Sequence, residues 1–248
     1  MGSTEYSVSF KTLAATLPRG EPLSTAGLQA RGLSAFRASA LARSGWLVHL
    51  ARGAYMLPGD TLTRDGCLAF LSAQMPGLHV GSKTALSWRG VRQNIAFREH
   101  LSLWGDTPRC LPGWFTRTFP ASYQATQLFD GTLPGTFGLQ PLPAGDPRVL
   151  VSVPERAMLE LLSDVGKGQS LAEARELVEG LTSLREKVLD ELLLHTTRIK
   201  VVRMAATLAS SMKLPWAAIA NRHSERIGGG ARWVAVGRTG ERLDLKRP

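Results

Sequence analysis

Cysteine is nearly missing from this chain. Cys67 and Cys110 are the two among 248 residues, far apart in sequence, which excludes a disulfide framework and a zinc site. No uncharged apolar run approaches the ~18 residues of a bilayer span, so no membrane contact is expected. The opening Met1-Gly2-Ser3-Thr4-Glu5-Tyr6 lacks a basic flank, an apolar segment and a small-residue cleavage site. A signal peptide is therefore not expected, and a cytoplasmic protein is. The five histidines (His49, His79, His100, His195, His223) share no ligand spacing with one another or with cysteine. Neither a G-x-x-x-x-G-K-[ST] phosphate loop nor a G-x-S-x-G nucleophile elbow occurs. Gly228-Gly229-Gly230 runs into a short apolar stretch rather than a capped helix, and Asp244 with Lys246 is too sparse for a metal-dependent nuclease. No catalytic residue, cofactor or metal is expected, and the chain does not read as an enzyme.

Acidic side chains are also in short supply, with 20 Asp+Glu against 30 Lys+Arg and a net charge of +10. Such an excess points to a polyanionic partner, most often nucleic acid, and says nothing about fold. The imbalance is uneven. Residues 1–80 carry seven basic and four acidic side chains, as do residues 81–153. Residues 154–194 reverse the sign with five basic and nine acidic, and residues 195–248 carry eleven basic and three acidic. Hydrophobic content of 44% with 20% charge is nevertheless that of a folded globular chain, long enough for one large domain or two small ones.

The N-terminal third has the pattern of a winged helix-turn-helix. Phe10, Leu13, Ala14 and Leu17 fall on one face of a short helix ended by Pro18 and Gly20. Ser24 is placed to cap a helix over residues 25–30, and Arg31-Gly32-Leu33 supplies a glycine turn. Ser34 is placed to cap a third helix over residues 35–44, which Gly45 stops. Residues 46–50 and 54–57, separated by Ala51-Arg52-Gly53, read as strand, turn, strand. Trp46, Val48 and Leu50 are expected to alternate on the buried side, and a hairpin directly after a helix-turn-helix is a wing.

On this frame the third helix is expected to bury Phe36, Ala40 and Leu41. Its other side presents Arg37, Ala38, Ser39 and Arg43. A recognition helix offers its N-terminal residues to base edges, while basic and hydroxyl groups hold phosphates. Ser34, Arg37 and Ser39 are therefore candidates for the groove, and Arg31, Arg43 and the wing-tip Arg52 for phosphates. His49 reads as an ordinary surface residue. A small winged helix can also serve as a protein-interaction module without operator specificity, and the residues alone leave that alternative open.

Ser44-Gly45-Trp46-Leu47, Arg52-Gly53-Ala54-Tyr55 and Pro58-Gly59-Asp60 resemble the N-terminal domain of AbiEi-type antitoxins, regulators of type IV toxin–antitoxin systems in phage defence. His79-Val80-Gly81-Ser82-Lys83-Thr84-Ala85-Leu86, Leu111-Pro112-Gly113-Trp114 and Val151-Ser152-Val153-Pro154-Glu155-Arg156-Ala157-Met158-Leu159-Glu160-Leu161-Leu162 are similar to later family segments, in the family's order. So are Leu184-Arg185, the segment Arg198-Ile199-Lys200-Val201-Val202-Arg203, and Leu214-Pro215-Trp216. The matches run from about residue 30 to 235; residues 237–248 match least. The resemblance implies a winged helix that binds inverted repeats in its own promoter and represses the operon. It also implies a C-terminal domain that counteracts a cognate nucleotidyltransferase-like toxin. An RNA-binding protein acting on the toxin's substrate is an alternative.

The expected fold class is α+β: a winged helix-turn-helix domain over residues 1–80 and a larger mixed α/β domain over 81–248. In the second domain, strands and loops are expected over 99–150 and helices over 153–220. Thr63 is placed to cap a helix over 64–75 that carries Cys67 as a small core residue, and Ser82 to Arg89 reads as another. Ser152 with Glu155 has capping-box spacing ahead of a helix whose Arg156 and Glu160 form an i,i+4 pair. Two acidic helices, about 170–181 and 184–195, precede a helix over about 198–212. There Ile199, Val202, Ala206 and Ala209 are expected to be buried. Lys200, Arg203, Thr207 and Ser211 form a stripe that is either a second basic surface or a solvated face. Arg222, Arg226, Arg232 and Arg238 keep the tail basic, and residues 231–236 read as a final strand.

Overall fold

The computed structural model describes residues 10–91 and 99–227, with the strands Trp233–Val236 and Arg242–Leu245 as backbone. The residues Met1 to Tyr6, Gly228 to Gly230, Ala231, Arg232, Arg238 and Lys246, and the side chain of Asp244, lie outside the described part. The chain is a mixed α+β protein in two compact units, residues 1–74 with 111–119 and residues 75–110 with 120–248.

The first unit begins with α1 (Phe10–Thr16), β1 (Leu23–Ser24), α2 (Thr25–Gln29) and α3 (Ala35–Arg43). β2 (Val48–Ala51), β3 (Ala54–Met56) and α4 (Arg64–Ser72) follow. Local chemistry sets these boundaries. The Ser24 hydroxyl accepts the Gly27 N–H at 2.9 Å, the Ser34 hydroxyl accepts the Arg37 N–H at 3.3 Å, and Thr63 caps α4 by accepting the Gly66 N–H at 3.1 Å. Gly32 (φ 84°) and Gly45 (φ 80°) adopt the left-handed backbone that ends α2 and α3. β2 and β3 form an antiparallel hairpin, and β1 pairs with the other edge of β3, giving the order β1-β3-β2. Leu13, Leu17, Leu23, Leu28, Leu33, Ala38, Leu47, Tyr55 and Leu57 form the core. Cys67 is wholly buried, and burial pushes its thiol up to about 12, which fits an inert core residue. α6 (Gly113–Thr118), lying where strands and loops are expected, sets Trp114 edge-on against Phe70 with ring centres 5.9 Å apart.

Three expectations about this unit are corrected. Phe36, expected in the core, is 77% exposed, whereas Ala38 is 0% exposed. The buried face of α3 is Ala38 with Leu41 and Ala42 packed beside it, so Leu41 lies inside as expected while the face as a whole is turned by roughly 140° from the expected one. The residue before the hairpin that turns inward is Leu47, while Trp46 (59%) and Val48 (40%) face outward.

The second unit holds β4 (His79–Val80), α5 (Ser82–Trp88), β5 (Leu101–Trp104), β6 (Ala121–Gln124), β7 (Leu139–Gln140) and β8 (Val151–Ser152). It continues with α7 (Pro154–Asp164), α8 (Leu171–Glu179), α9 (Glu186–His195), α10 (Ile199–Ser211) and α11 (Ala217–Ile227). The chain's last two strands, β9 (Trp233–Val236) and β10 (Arg242–Leu245), make an antiparallel hairpin. The main sheet has the order β6-β5-β4-β8-β7, with β5–β6 and β4–β8 parallel and the other pairs antiparallel. Every residue of α7 after Pro154 is buried. Trp216 is also buried, its indole N–H donating to the Leu181 carbonyl at 2.7 Å.

The capping box expected at Ser152 and Glu155 does not form. Val153 is the N-cap residue, without a side-chain cap, and Pro154 opens the helix. Ser152 instead donates to the Glu160 carboxylate, and Glu155 pairs with Arg185 at 2.9 Å. Both polar groups are buried, so tertiary partners win over the local cap.

Candidate nucleic-acid interface

The side chains expected to meet nucleic acid in the first unit are all at its surface. Arg31 lies in the turn between α2 and α3, its guanidinium donating to the Gly27 carbonyl at 2.9 Å. Ser34 caps α3, and Arg37, Ser39 and Arg43 are exposed along it. Arg52 is exposed at the turn of the β2–β3 hairpin. Ser34 spends one oxygen lone pair on the Arg37 N–H, so its hydroxyl proton and second lone pair remain to offer outward.

One signal in the sequence was missed. From Pro22 to Gly59 the chain has four arginines (Arg31, Arg37, Arg43, Arg52) and no Asp or Glu. α2, α3 and the hairpin therefore carry positive charge with no internal acid to neutralise it. Successive helical residues are turned by about 100°, which places Phe36, Ala40 and Arg43 on the line of α3 opposite its buried face. Ser39 lies beside that line, and Arg37 lies on its shoulder. At a helix surface this mixture of cations, a hydroxyl and an apolar ring suits both the phosphates and the base edges of a duplex groove.

The stripe expected on α10 is not a surface. Arg203 is 2% exposed, and α10 also buries Val201, Val202, Met204, Ala205, Ala206, Leu208 and Ala209. Lys200 bonds the Val165 carbonyl, and Ser211 donates to the Leu208 carbonyl at 2.9 Å. Thr207 is half-buried, and Ile199, expected inside, is 39% exposed. The helix is enclosed on nearly every side, so Lys200, Arg203, Thr207 and Ser211 do not form a common grip. Small residues at almost every turn made a central helix look amphipathic.

A second polar centre lies inside the second unit. Glu160 on α7 accepts from His79 Nε2 (2.9 Å), Arg156 Nε (2.9 Å), the Ser152 hydroxyl and the Ser82 N–H (3.0 Å). Burial pushes its carboxyl up, but His79, Arg156 and the Ser82 N–H outweigh that and hold it below the usual carboxylate value. Arg156 also donates to the Gly135 and Phe137 carbonyls and lies over the Phe129 ring at 5.2 Å. His79, Arg156 and Glu160 border a cavity of about 420 Å³ that Trp104, Asp106 and Asp130 also line. The bonds of Glu160 run to β4, β8 and the start of α5, so the centre ties the sheet to its helices. Among the described residues no three His, Cys, Asp or Glu side chains gather as they would around a metal ion. Among them, too, no helix is long and apolar enough to cross a membrane.

Comparison with known proteins agrees with this architecture. A family model described as "Transcriptional regulator, AbiEi antitoxin N-terminal domain" matches residues 7–97. A second, "Transcriptional regulator, AbiEi antitoxin, Type IV TA system", matches residues 98–246. No curated protein matches the sequence. Among solved structures, the crystal structure of the RV2827C protein from Mycobacterium tuberculosis is similar, with a TM-score of 0.57 and 18% identity. The match covers 89% of this chain and 80% of that one, a likeness of fold.

Proposed function

The chain belongs to the family of AbiEi antitoxin transcriptional regulators of type IV toxin–antitoxin systems, and from that premise we propose a DNA-binding autorepressor and antitoxin. Its first unit acts as a winged helix-turn-helix, with α3 as the recognition helix and the β2–β3 hairpin as the wing. The observation that carries this reading is the acid-free stretch from Pro22 to Gly59, whose arginines stand exposed on α3 and on the turns around it. Ser34, Arg37 and Ser39 face base edges; Arg31, Arg43 and Arg52 hold phosphates. The target is an inverted repeat in the chain's own promoter. The second unit counteracts a cognate nucleotidyltransferase-like toxin, as part of phage defence in the cytoplasm, without a catalytic step of its own.

Two assays in cells test the two halves. A reporter driven by the operon's promoter is expected to fall when the chain is supplied and to recover with Arg37→Ala plus Arg52→Ala. Co-expression is expected to restore growth to cells producing the neighbouring toxin. A reporter indifferent to the chain sinks the repressor half, and growth arrest that persists despite the chain sinks the antitoxin half.

A further inference from the structure

Among the cations and hydroxyl of α3's outer face stands an apolar ring, that of Phe36, 77% exposed. Ala40 and Arg43 continue its line at i+4 and i+7, and Ser39 flanks it at i+3. Trp46, the next most exposed large apolar residue, already has a partner in Phe10, with ring centres 6.2 Å apart. Phe36 has no such ring contact among the described residues.

We infer that Phe36 reads thymine in the DNA groove, its ring packing on the C5-methyl group that distinguishes thymine on the major-groove edge. The inference rests on the DNA-binding reading above and adds to it the residue and the base. Charge selects the occupant. Everything from Pro22 to Gly59 is free of acids, so a second copy meeting this face symmetrically would set Arg37 and Arg43 against their own counterparts with no carboxylate between. A duplex brings phosphates to those same arginines. Chemistry then selects the base feature. A phenyl ring can neither donate nor accept a conventional hydrogen bond, and the thymine methyl is the apolar feature of the major-groove code.

The test uses the full-length chain and a duplex carrying its own promoter region, with each thymine replaced in turn by uracil. Uracil keeps the pairing and removes only the methyl group. The wild-type chain is expected to lose about fourfold in affinity at one or two positions per repeat, the worth of one buried methyl group. Phe36→Ala is expected to bind thymine and uracil duplexes equally at those positions, and weaker than wild type on thymine. A wild-type chain that prefers its promoter yet ignores every uracil, or a Phe36→Ala variant that keeps the uracil penalty, overturns the inference and leaves the DNA-binding reading standing. A wild-type chain that binds promoter and random duplexes alike overturns the reading itself. Sedimentation of both proteins covers the other occupant: a wild-type dimer that Phe36→Ala makes monomeric assigns the ring to self-association and overturns the inference.

Discussion

Phe36 and Ala38 sit two residues apart on α3 and face opposite ways, Ala38 sealed in the first unit's core and Phe36 in solvent. A two-residue step turns a helix by about 200°, so one of the pair must face out whenever the other faces in. The core keeps the methyl group and rejects the ring. Burying a Phe side chain is ordinarily worth about 2–3 kcal/mol. Its exposure here is a stability forgone, which fits a helix face shaped for a partner.

The two positions therefore respond in opposite ways to substitution. Ala38→Leu adds volume to a filled core and is expected to destabilise the chain by about 1–3 kcal/mol. Phe36→Ala is expected to change stability by less than about 0.5 kcal/mol, as surface substitutions do. Urea denaturation of both variants checks the assignment of faces.

Arg37 and Arg52 are expected to fail differently. Arg37→Ala removes a base-edge donor and is expected to relax sequence preference, with a loss of about 1–3 kcal/mol on the preferred site. Arg52→Ala removes a phosphate contact at the hairpin turn and is expected to weaken every duplex alike, lowering the salt slope by about one. Competition binding against a panel of single-base variants separates the two.

Glu160 is the keystone of the second unit's polar centre. Glu160→Gln keeps the shape but leaves the Arg156 guanidinium without its buried counter-charge. It also breaks acceptance from His79, Ser152 or Ser82. A loss of about 3–5 kcal/mol is expected, as for other buried pairs stripped of one partner. Loss below about 1 kcal/mol in a denaturant titration would show that the network adds little.

Asp164, at the end of α7, supplies a pH dependence. Burial pushes its carboxyl up to about 7, against the pull of Lys167, Lys200 and Arg198. Between an unfolded value of about 4 and that folded value, the native state holds a proton the unfolded state has lost. Asp164 therefore subtracts stability as pH rises from about 4 to 7, at most on the order of 4 kcal/mol, and nothing further above that. Asp164→Asn is expected to gain on wild type steadily across this window. Parallel stability–pH curves for the two proteins would contradict it.

Sequence legibility followed the range of the forces involved. The caps Ser24, Ser34 and Thr63 and the stops Gly32 and Gly45 were readable because each acts within one helical turn. The rotation of α3 was not, because hydrophobicity favoured Phe36 and only the tertiary core shows that a methyl group belongs inside. Ser152 and Glu155 had a local pattern that two distant residues, Glu160 and Arg185, dissolved. Arg203 looked like surface because a cation usually is, yet it lies inside α10's packing. The order β6-β5-β4-β8-β7 joins strands far apart in sequence, and no local signal encodes such pairing.

Equilibrium binding of the full-length chain to its promoter duplex, against a scrambled duplex over a series of salt concentrations, tests the central claim most directly. Four to six phosphate contacts predict a log–log salt slope of about −4 to −5, with the promoter preferred at every concentration. Equal affinity for the two duplexes, or a slope near zero, would contradict a sequence-specific DNA interface built on α3 and the β2–β3 hairpin.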